Sequence, residues 1–326
     1  MVRIGLLGYG YWGPVLCSCF QSINQPIYAI ADRHREKKES IDGDITFYTT
    51  IDELLNDPTI TGVVVALPTS MHYNVCKKAL CAGKHVLVEK PLTNTSSQAE
   101  ELTHLAKSLG LTLMVDHHFI YKKSVQNIKF LANQGSLGTL FSYESTRANL
   151  GKFRNDDDVV WDLAPHDLSI LKYILGKDPS SVSAVGFSHI DGSKADSAHV
   201  NLFYDNGFTA HLFLSWTIPE KIRTIYLCGT QGVAKYDDNE SQYKLHHCDT
   251  SYTRTNDGKI VCSKNGWTPV DEDAENTLAL VAREFIECIK TGEKPLSNGN
   301  FATDIVRTIE AIEASMKCYG KTTNIL

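Results

Sequence analysis

The chain opens with short apolar segments separated by stretches of helical period. Residues 3–8, 27–32, 62–67, 85–90 and 111–116 are rich in β-branched and aliphatic side chains. Continuous apolar runs of this length read as strands buried on both faces. Between them, 70–83 and 96–110 repeat apolar positions at helical spacing, and each closes on a glycine suited to the position after a helix end. Strand–helix alternation predicts a parallel sheet covered on both faces up to about residue 120.

The pattern then changes. A helix-like stretch at 124–138 precedes strand candidates at 141–151, 181–190, 199–205, 208–216, 222–229 and 232–238. Asp205-Asn206-Gly207 and Gly229-Thr230-Gln231-Gly232 read as hairpin turns between them. Consecutive strands joined this way predict a largely antiparallel sheet. One face takes helices, including 162–175; the other is apolar enough to seek a partner, so a homodimer or homotetramer is expected. Helices near 274–290 and 301–319 close the chain. The expected fold class is α/β: a doubly wound Rossmann domain over 1–120, then an α+β substrate and oligomerisation domain with an open-faced sheet over 121–326.

Composition narrows the function. The 326 residues carry a net charge of −6, which argues against general affinity for nucleic acid or anionic membrane. No segment approaches the roughly 18 apolar residues of a membrane span. The first residues run straight into a strand pattern without a leader, and the nine scattered cysteines form no CxxC. Reduced thiols in a cytoplasmic protein are expected. The acids at 155–158 and 271–275 read as solvated loops.

The first turn reads Gly8-Tyr9-Gly10-Tyr11-Trp12-Gly13-Pro14, a G-x-G-x-x-G between a strand and a helix. Gly8 permits the tight turn, Gly10 lets backbone approach a pyrophosphate, and Gly13 lets helix pack on strand. Tyr11 and Trp12 lie within this loop. Asp32 ends the second strand, where it can accept from a ribose 2′-hydroxyl. An acid there repels a 2′-phosphate, so NAD is expected. Arg33, His34 and Arg35 follow and leave NADP open. In open α/β sheets ligands sit beyond the carboxyl ends of strands. Leu67, Pro68, Thr69 and His72 follow one such end, and Glu89-Lys90-Pro91 stands at another.

Near the middle, residues 158–176 read from Leu163 onward as an amphipathic helix, yet Asp162, His166 and Asp167 stand at its start among apolar neighbours, Asp162 and His166 at i,i+4. The next steps by four are Ile170 and Ile174, expected to be buried; Pro165, Ser169 and Lys172 are expected to point the other way. An acid and an imidazole on the inward half need partners or a task. A capping Asp162 with a satisfied core histidine is the plain structural alternative.

Taken together, GYGYWGP, ALPTSMH, VLVEKPL and WDLAPHD resemble the Gfo/Idh/MocA oxidoreductases, with matching order across essentially the whole chain. That resemblance implies that Lys90, Asp162 and His166 meet at a nicotinamide. His166 is then the expected general base, Asp162 orients its ring, and Lys90 stabilises a developing alkoxide, with Lys90 as proton carrier left open. Trp161 either walls the nicotinamide or packs in the core.

Lys122, Lys123, Arg147, Lys152 and Arg154 form a basic group in a net acidic chain. WDLAPHD with RANLG resembles branches acting at C3 of UDP-linked N-acetylamino sugars, of the UDP-N-acetylglucosamine type. Arg147, Asn149, Arg154 and Tyr121 are the expected substrate contacts, beside Lys90 and His166. His117-His118-Phe119-Ile120-Tyr121-Lys122-Lys123 departs from the H-x-F-x-Y-N-P of those branches, with Lys122-Lys123 in place of Asn-Pro. A free sugar or polyol dehydrogenase, the reverse ketoreductase and a non-catalytic nucleotide sensor stay open. No metal is expected: His246-His247-Cys248 lacks a matched second ligand pair.

Overall fold

The computed structural model describes residues 2–41, 45–151, 153, 157–190, 192–270 and 276–325. It divides into two compact units: Met1–His118 with Asn276–Val306, and Phe119–Glu275 with Arg307–Leu326. The expected linear division at residue 120 lies two residues from the first of these boundaries. The first unit also takes in a late segment, Asn276–Val306.

The first unit is built on β1 (Ile4–Leu7), β2 (Ala29–Ala31), β3 (Thr46–Tyr48), β4 (Gly62–Val65), β5 (His85–Val88) and β6 (Leu113–Val115). These run in the order β3-β2-β1-β4-β5-β6, every pair parallel. β1, β2, β4 and β6 are buried along their whole length, as continuous apolar strands between helix layers must be. Helices α1 (Gly13–Ser22), α2 (Ile51–Leu55), α3 (Thr69–Cys81) and α4 (Ser96–Ser108) connect them. β3 and α2 were not expected. β3 is a half-exposed edge, so its sequence lacks an apolar run. α2 starts on a capping box in which Thr50 accepts from Glu53 N–H and the Glu53 carboxylate accepts from Thr50 N–H.

The second unit holds α5 (Lys123–Asn133), α6 (Val159–Leu175) and a ten-stranded sheet. Its strands are β7 (Leu140–Ala148), β8 (Ser181–Phe187), β9 (Ser197–Phe203), β10 (Thr209–Ser215), β11 (Ile222–Gly229), β12 (Gly232–Asp237), β13 (Leu245–Arg254), β14 (Ile260–Lys264), β15 (Thr268–Val270) and β16 (Thr323–Asn324). Pairing is antiparallel except for β7 with β10. The outer hairpin of β13 to β15 was not expected, because its strands are polar and largely exposed. α7 (Thr277–Thr291) and α8 (Gly299–Lys317) follow β15 and precede β16, and the division between the units falls within α8.

α6 begins earlier than the apolar period alone suggests. Asp158 caps it, accepting from Val160 N–H at 2.9 Å and Trp161 N–H at 3.0 Å, so Asp162 is not the cap. Ile170 and Ile174 are buried as expected. Pro165 and Ser169 are buried too, against expectation, because α6 packs on β9 and β10 on one side and on α5 on another. Among the described residues no helix is long and apolar enough to cross a membrane.

Candidate functional site

In the first unit the expected cofactor residues stand on one edge. β2, β1, β4 and β5 are consecutive neighbours, and the loops leaving their carboxyl ends carry Asp32, the glycine turn, Leu67–His72 and Glu89–Lys90. The turn fits a dinucleotide. Gly8 has φ +95°, and a Cβ there would lie 2.6 Å from the Ala66 carbonyl oxygen, so only glycine serves. A Cβ on Gly13 would lie 2.7 Å from the Tyr9 ring, which holds the start of α1 against the turn. A Cβ on Gly10 would meet nothing within 4 Å, so protein atoms do not explain the glycine. No side chain caps α1, which leaves its N-terminal dipole for an anion. Tyr11 and Trp12 are exposed beside this turn, packed edge to face.

Asp32 is held in place. Its Oδ2 accepts from Tyr9 N–H at 2.7 Å and from Lys37 Nζ at 2.8 Å, and its Oδ1 accepts from His34 N–H at 2.9 Å. Burial works to raise its pKa, but Lys37 and the two N–H groups outweigh burial and hold the carboxylate below its ordinary range. Lys37 was not foreseen; it follows Asp32 by five residues across a 3-10 turn, a contact no strand or helix period marks. Arg33 is exposed, with its Nε toward His34.

His72 is buried, with Nδ1 2.8 Å from the Pro91 carbonyl and Nε2 2.9 Å from the Leu67 carbonyl. Its ring ties the turn after β4 to the turn after β5. Thr69 is buried at the start of α3, and Pro68 is the residue preceding the helix. Glu89 and Lys90 are half-buried, and the Lys90–Pro91 peptide is cis. After β6 come Asp116 and His117, both buried; neither ring nitrogen of His117 has a hydrogen-bond partner among the described residues. Burial lowers the His117 pKa to about 3.

In the second unit α6 carries Asp162 and His166 one turn apart. Between Val159 and Leu171 these two alone are not buried. Asp162 Oδ2 accepts from the indole N–H of Trp216 at 3.2 Å, and the His166 ring meets Phe119 edge on at 4.8 Å. Trp161 is buried beside them.

Arg147 sits differently from a freely offered substrate contact. It is buried on β7 and donates from Nε to Asp167 Oδ2 at 2.8 Å. Tyr143 and Ser145, on the same face of β7, also donate to Asp167, at 3.0 and 2.8 Å. Burial opposes the Arg147 charge, yet the neighbouring carboxylate raises its pKa above the ordinary arginine value. Burial and Asp167 together push the Tyr143 phenol well up. Sequence reasoning noted Asp167 at the start of the helix but gave it no partner; the alternation of polar Tyr143, Ser145 and Arg147 on one strand face was the trace of this contact. Tyr121 is buried at the end of the 3-10 turn His118–Tyr121, and Asn149 is half-buried after β7. Lys152, Arg154, Asp156 and the acids at 271–275 lie outside the described residues; Asp157 is buried and Asp158 caps α6, so these two are not the solvated loop acids expected.

Both halves of the chain match known families. Residues 2–117 match the oxidoreductase family with an NAD-binding Rossmann fold, and 125–235 match the Gfo/Idh/MocA C-terminal domain. The UDP-N-acetylglucosamine 3-dehydrogenase of Acidithiobacillus ferrooxidans is 27% identical over 249 residues, 76% of this chain and 77% of that protein. The scyllo-inositol 2-dehydrogenase (NADP(+)) of Bacillus subtilis is 26% identical over 275 residues, 83% of this chain and 74% of that one. A solved structure of the Acidithiobacillus enzyme superposes with TM-score 0.82 at 24% identity, covering 97% of this chain and 98% of that one. A levoglucosan dehydrogenase solved with NADH and levoglucosan gives TM-score 0.84 at 17% identity, covering 99% of each chain. These two superpositions speak for the fold. With the glycine turn, the strand-end aspartate and both family domains in one chain, the protein belongs to the Gfo/Idh/MocA family of NAD(P)-dependent oxidoreductases.

Proposed function

We propose that this oxidoreductase acts on a secondary hydroxyl of a sugar, at C3 of a UDP-linked N-acetylamino sugar, in amino-sugar or surface-polysaccharide synthesis. The observation that carries the reading is the pair Asp162 and His166. They are the only groups left unburied along Val159–Leu171, in a chain whose other unit presents a dinucleotide turn. The similarity to the UDP-N-acetylglucosamine 3-dehydrogenase supports the sugar class.

The roles follow from chemistry. The glycine turn and the start of α1 hold the pyrophosphate, and Asp32 takes the ribose hydroxyls, which favours NAD. The dinucleotide supplies one thing when bound, acceptance or return of a hydride. His166 removes the hydroxyl proton as general base. Asp162, one turn earlier, steadies the imidazolium. Lys90 stabilises the alkoxide as it forms, an electrostatic task that side chains perform best in a dry site. In the reverse direction the same groups return the proton.

A screen of UDP-, dTDP- and GDP-linked sugars and free polyols with NAD⁺ and NADP⁺, following nicotinamide absorbance, tests the reading. Turnover of a UDP-linked N-acetylamino sugar is expected. Turnover of free polyols alone overturns the nucleotide-sugar part and favours an inositol-like substrate, the class of the Bacillus relative.

The chain is also proposed to self-associate through the uncovered face of the large sheet. On that face Glu144, Tyr226 and Lys235 lie in one cross-strand row, so a copy related by a two-fold axis along the strands over Tyr226 sets each acid against the other's lysine. His199 stacks on Phe213 at 4.7 Å beside them. Light scattering is expected to give a dimer or tetramer, and a monomeric mass overturns this. The nine unpaired cysteines fit a reducing compartment, the cytoplasm.

A further inference from the structure

The inward face of β7 and β11 carries more positive charge than its acids balance. In the register of these two strands Arg147 stands directly opposite Arg223. Like charges at directly opposed positions repel and destabilise a sheet. Both guanidinium groups lie over the ring of Phe119, at 4.6 and 5.9 Å, and Lys122 Nζ lies over the same ring at 4.7 Å. Two carboxylates answer this group. Asp167 is taken by Arg147. Asp238 accepts from Lys122, from Arg223 Nη1 at 3.4 Å, from Lys244 at 3.4 Å and from Tyr236 OH at 2.8 Å. Four cations therefore face two acids.

The donors do not balance either. Arg147 Nη1 and Arg223 Nε are buried and have no hydrogen-bond partner among the described residues. Buried donors are as a rule paired, so two orphans on facing arginines mark a place for an acceptor. The acceptor these donors fit is an anion with oxygens spread in a plane or tetrahedron, which arginine forks recognise. The cluster reaches solvent, since the side chains of Arg223 and Lys244 keep 29% and 35% of their exposure. It also reaches the proposed base: Phe119, which the cations flank, meets the His166 ring.

We propose that Arg147 and Arg223, with Lys122 and Lys244 around them, form an anion subsite that holds a carboxylate or phosphate of the substrate one aromatic ring away from His166. The subsite rests on the proposed function for its place in catalysis, and on the unpaired donors for its charge preference. It makes the enzyme selective for an acidic sugar derivative over a neutral one.

Calorimetric titration of the full chain, saturated with NADH, tests this with five probes: UDP-N-acetylglucosamine, UDP, glucuronate, and the neutral uridine and N-acetylglucosamine. At least one anionic probe is expected to bind tighter than its neutral counterpart by about tenfold or more. Arg223→Gln should weaken that probe by at least about tenfold, with NADH and the neutral probes unchanged. Arg223→Lys, which keeps charge but loses the Nε donor, should fall between and serves if the glutamine variant does not fold. Loss confined to UDP and its sugar identifies a phosphate; loss confined to glucuronate identifies a carboxylate. Equal binding of anionic and neutral probes, or anion affinity unmoved by both substitutions, overturns the subsite. If glucuronate binding depends on Arg223 while no nucleotide sugar turns over, the substrate reading fails and the subsite stands. If a nucleotide sugar turns over with anion affinity indifferent to Arg223, the reverse holds.

Discussion

Arg147 and Asp167 form an ion pair buried on both sides, Nε to Oδ2 at 2.8 Å, that fastens β7 to the middle of α6. His166 is the residue before Asp167, so the pair fixes the turn that presents the imidazole. Breaking a buried pair from one side strands a charge. Asp167→Asn is expected to cost about 3–5 kcal/mol of stability. Ser145→Ala, which removes one hydroxyl donor, should cost about 1–2 kcal/mol. Urea denaturation of both variants checks the order.

His166→Asn and Lys90→Met should each lower kcat by about 10²-fold to 10⁴-fold. NADH affinity, read by fluorescence quenching, should not move for His166→Asn. Loss of cofactor binding in that variant would mean a structural role instead.

Gly10 and Gly8 should part company on substitution. Gly8→Ala forces a methyl against the Ala66 carbonyl at a positive φ, and should destabilise the fold. Gly10→Ala meets open space, so its melting temperature should match the parent's within a degree or two, roughly ±0.5 kcal/mol. Its NADH affinity should nonetheless fall by about tenfold, because the methyl enters the room left for the pyrophosphate. Differential scanning fluorimetry and fluorescence titration separate the two effects.

Asp32→Ser should shift preference from NAD toward NADP by about tenfold or more. The change removes the carboxylate that repels a 2′-phosphate and frees Lys37, now bound to it at 2.8 Å, to meet one. The ratio of kcat/KM for the two cofactors reads this directly.

Burial holds His117 at about 3, below its ordinary 6.5, against the pull of Asp116 and with the push of His118 and Lys90. As pH falls, the unfolded chain therefore takes up the proton first. Stability is fully present above about 6.5 and declines toward about 3, by up to about 5 kcal/mol. His117→Asn should flatten the slope of unfolding free energy between those pH values, measured by denaturant titration at several pH settings.

What was legible in the sequence was local. The glycine turn, Asp32 at its strand end, the apolar strands and the Asp162–His166 step each lie within one turn or one βαβ unit, where spacing fixes geometry. What escaped was held by distant partners. Arg147 reads as a freely offered substrate contact until Asp167, 20 residues on, is seen against it. The opposed Arg223 is set by strand register, which no single segment reveals. α7 has a plain amphipathic pattern, yet nothing in that pattern says that it packs on α1.

That last contact has a bearing on how the protein comes to be. The first unit needs Asn276–Val306: Ser297 accepts from Val115 N–H at 2.9 Å, and Thr303 meets Thr103 at 3.3 Å. Residues 119–275 must leave the ribosome before that piece arrives, a delay on the order of ten seconds or more at bacterial or eukaryotic elongation rates. During synthesis the nucleotide half waits, with the α1 surface uncovered, until Asn276–Val306 has been made.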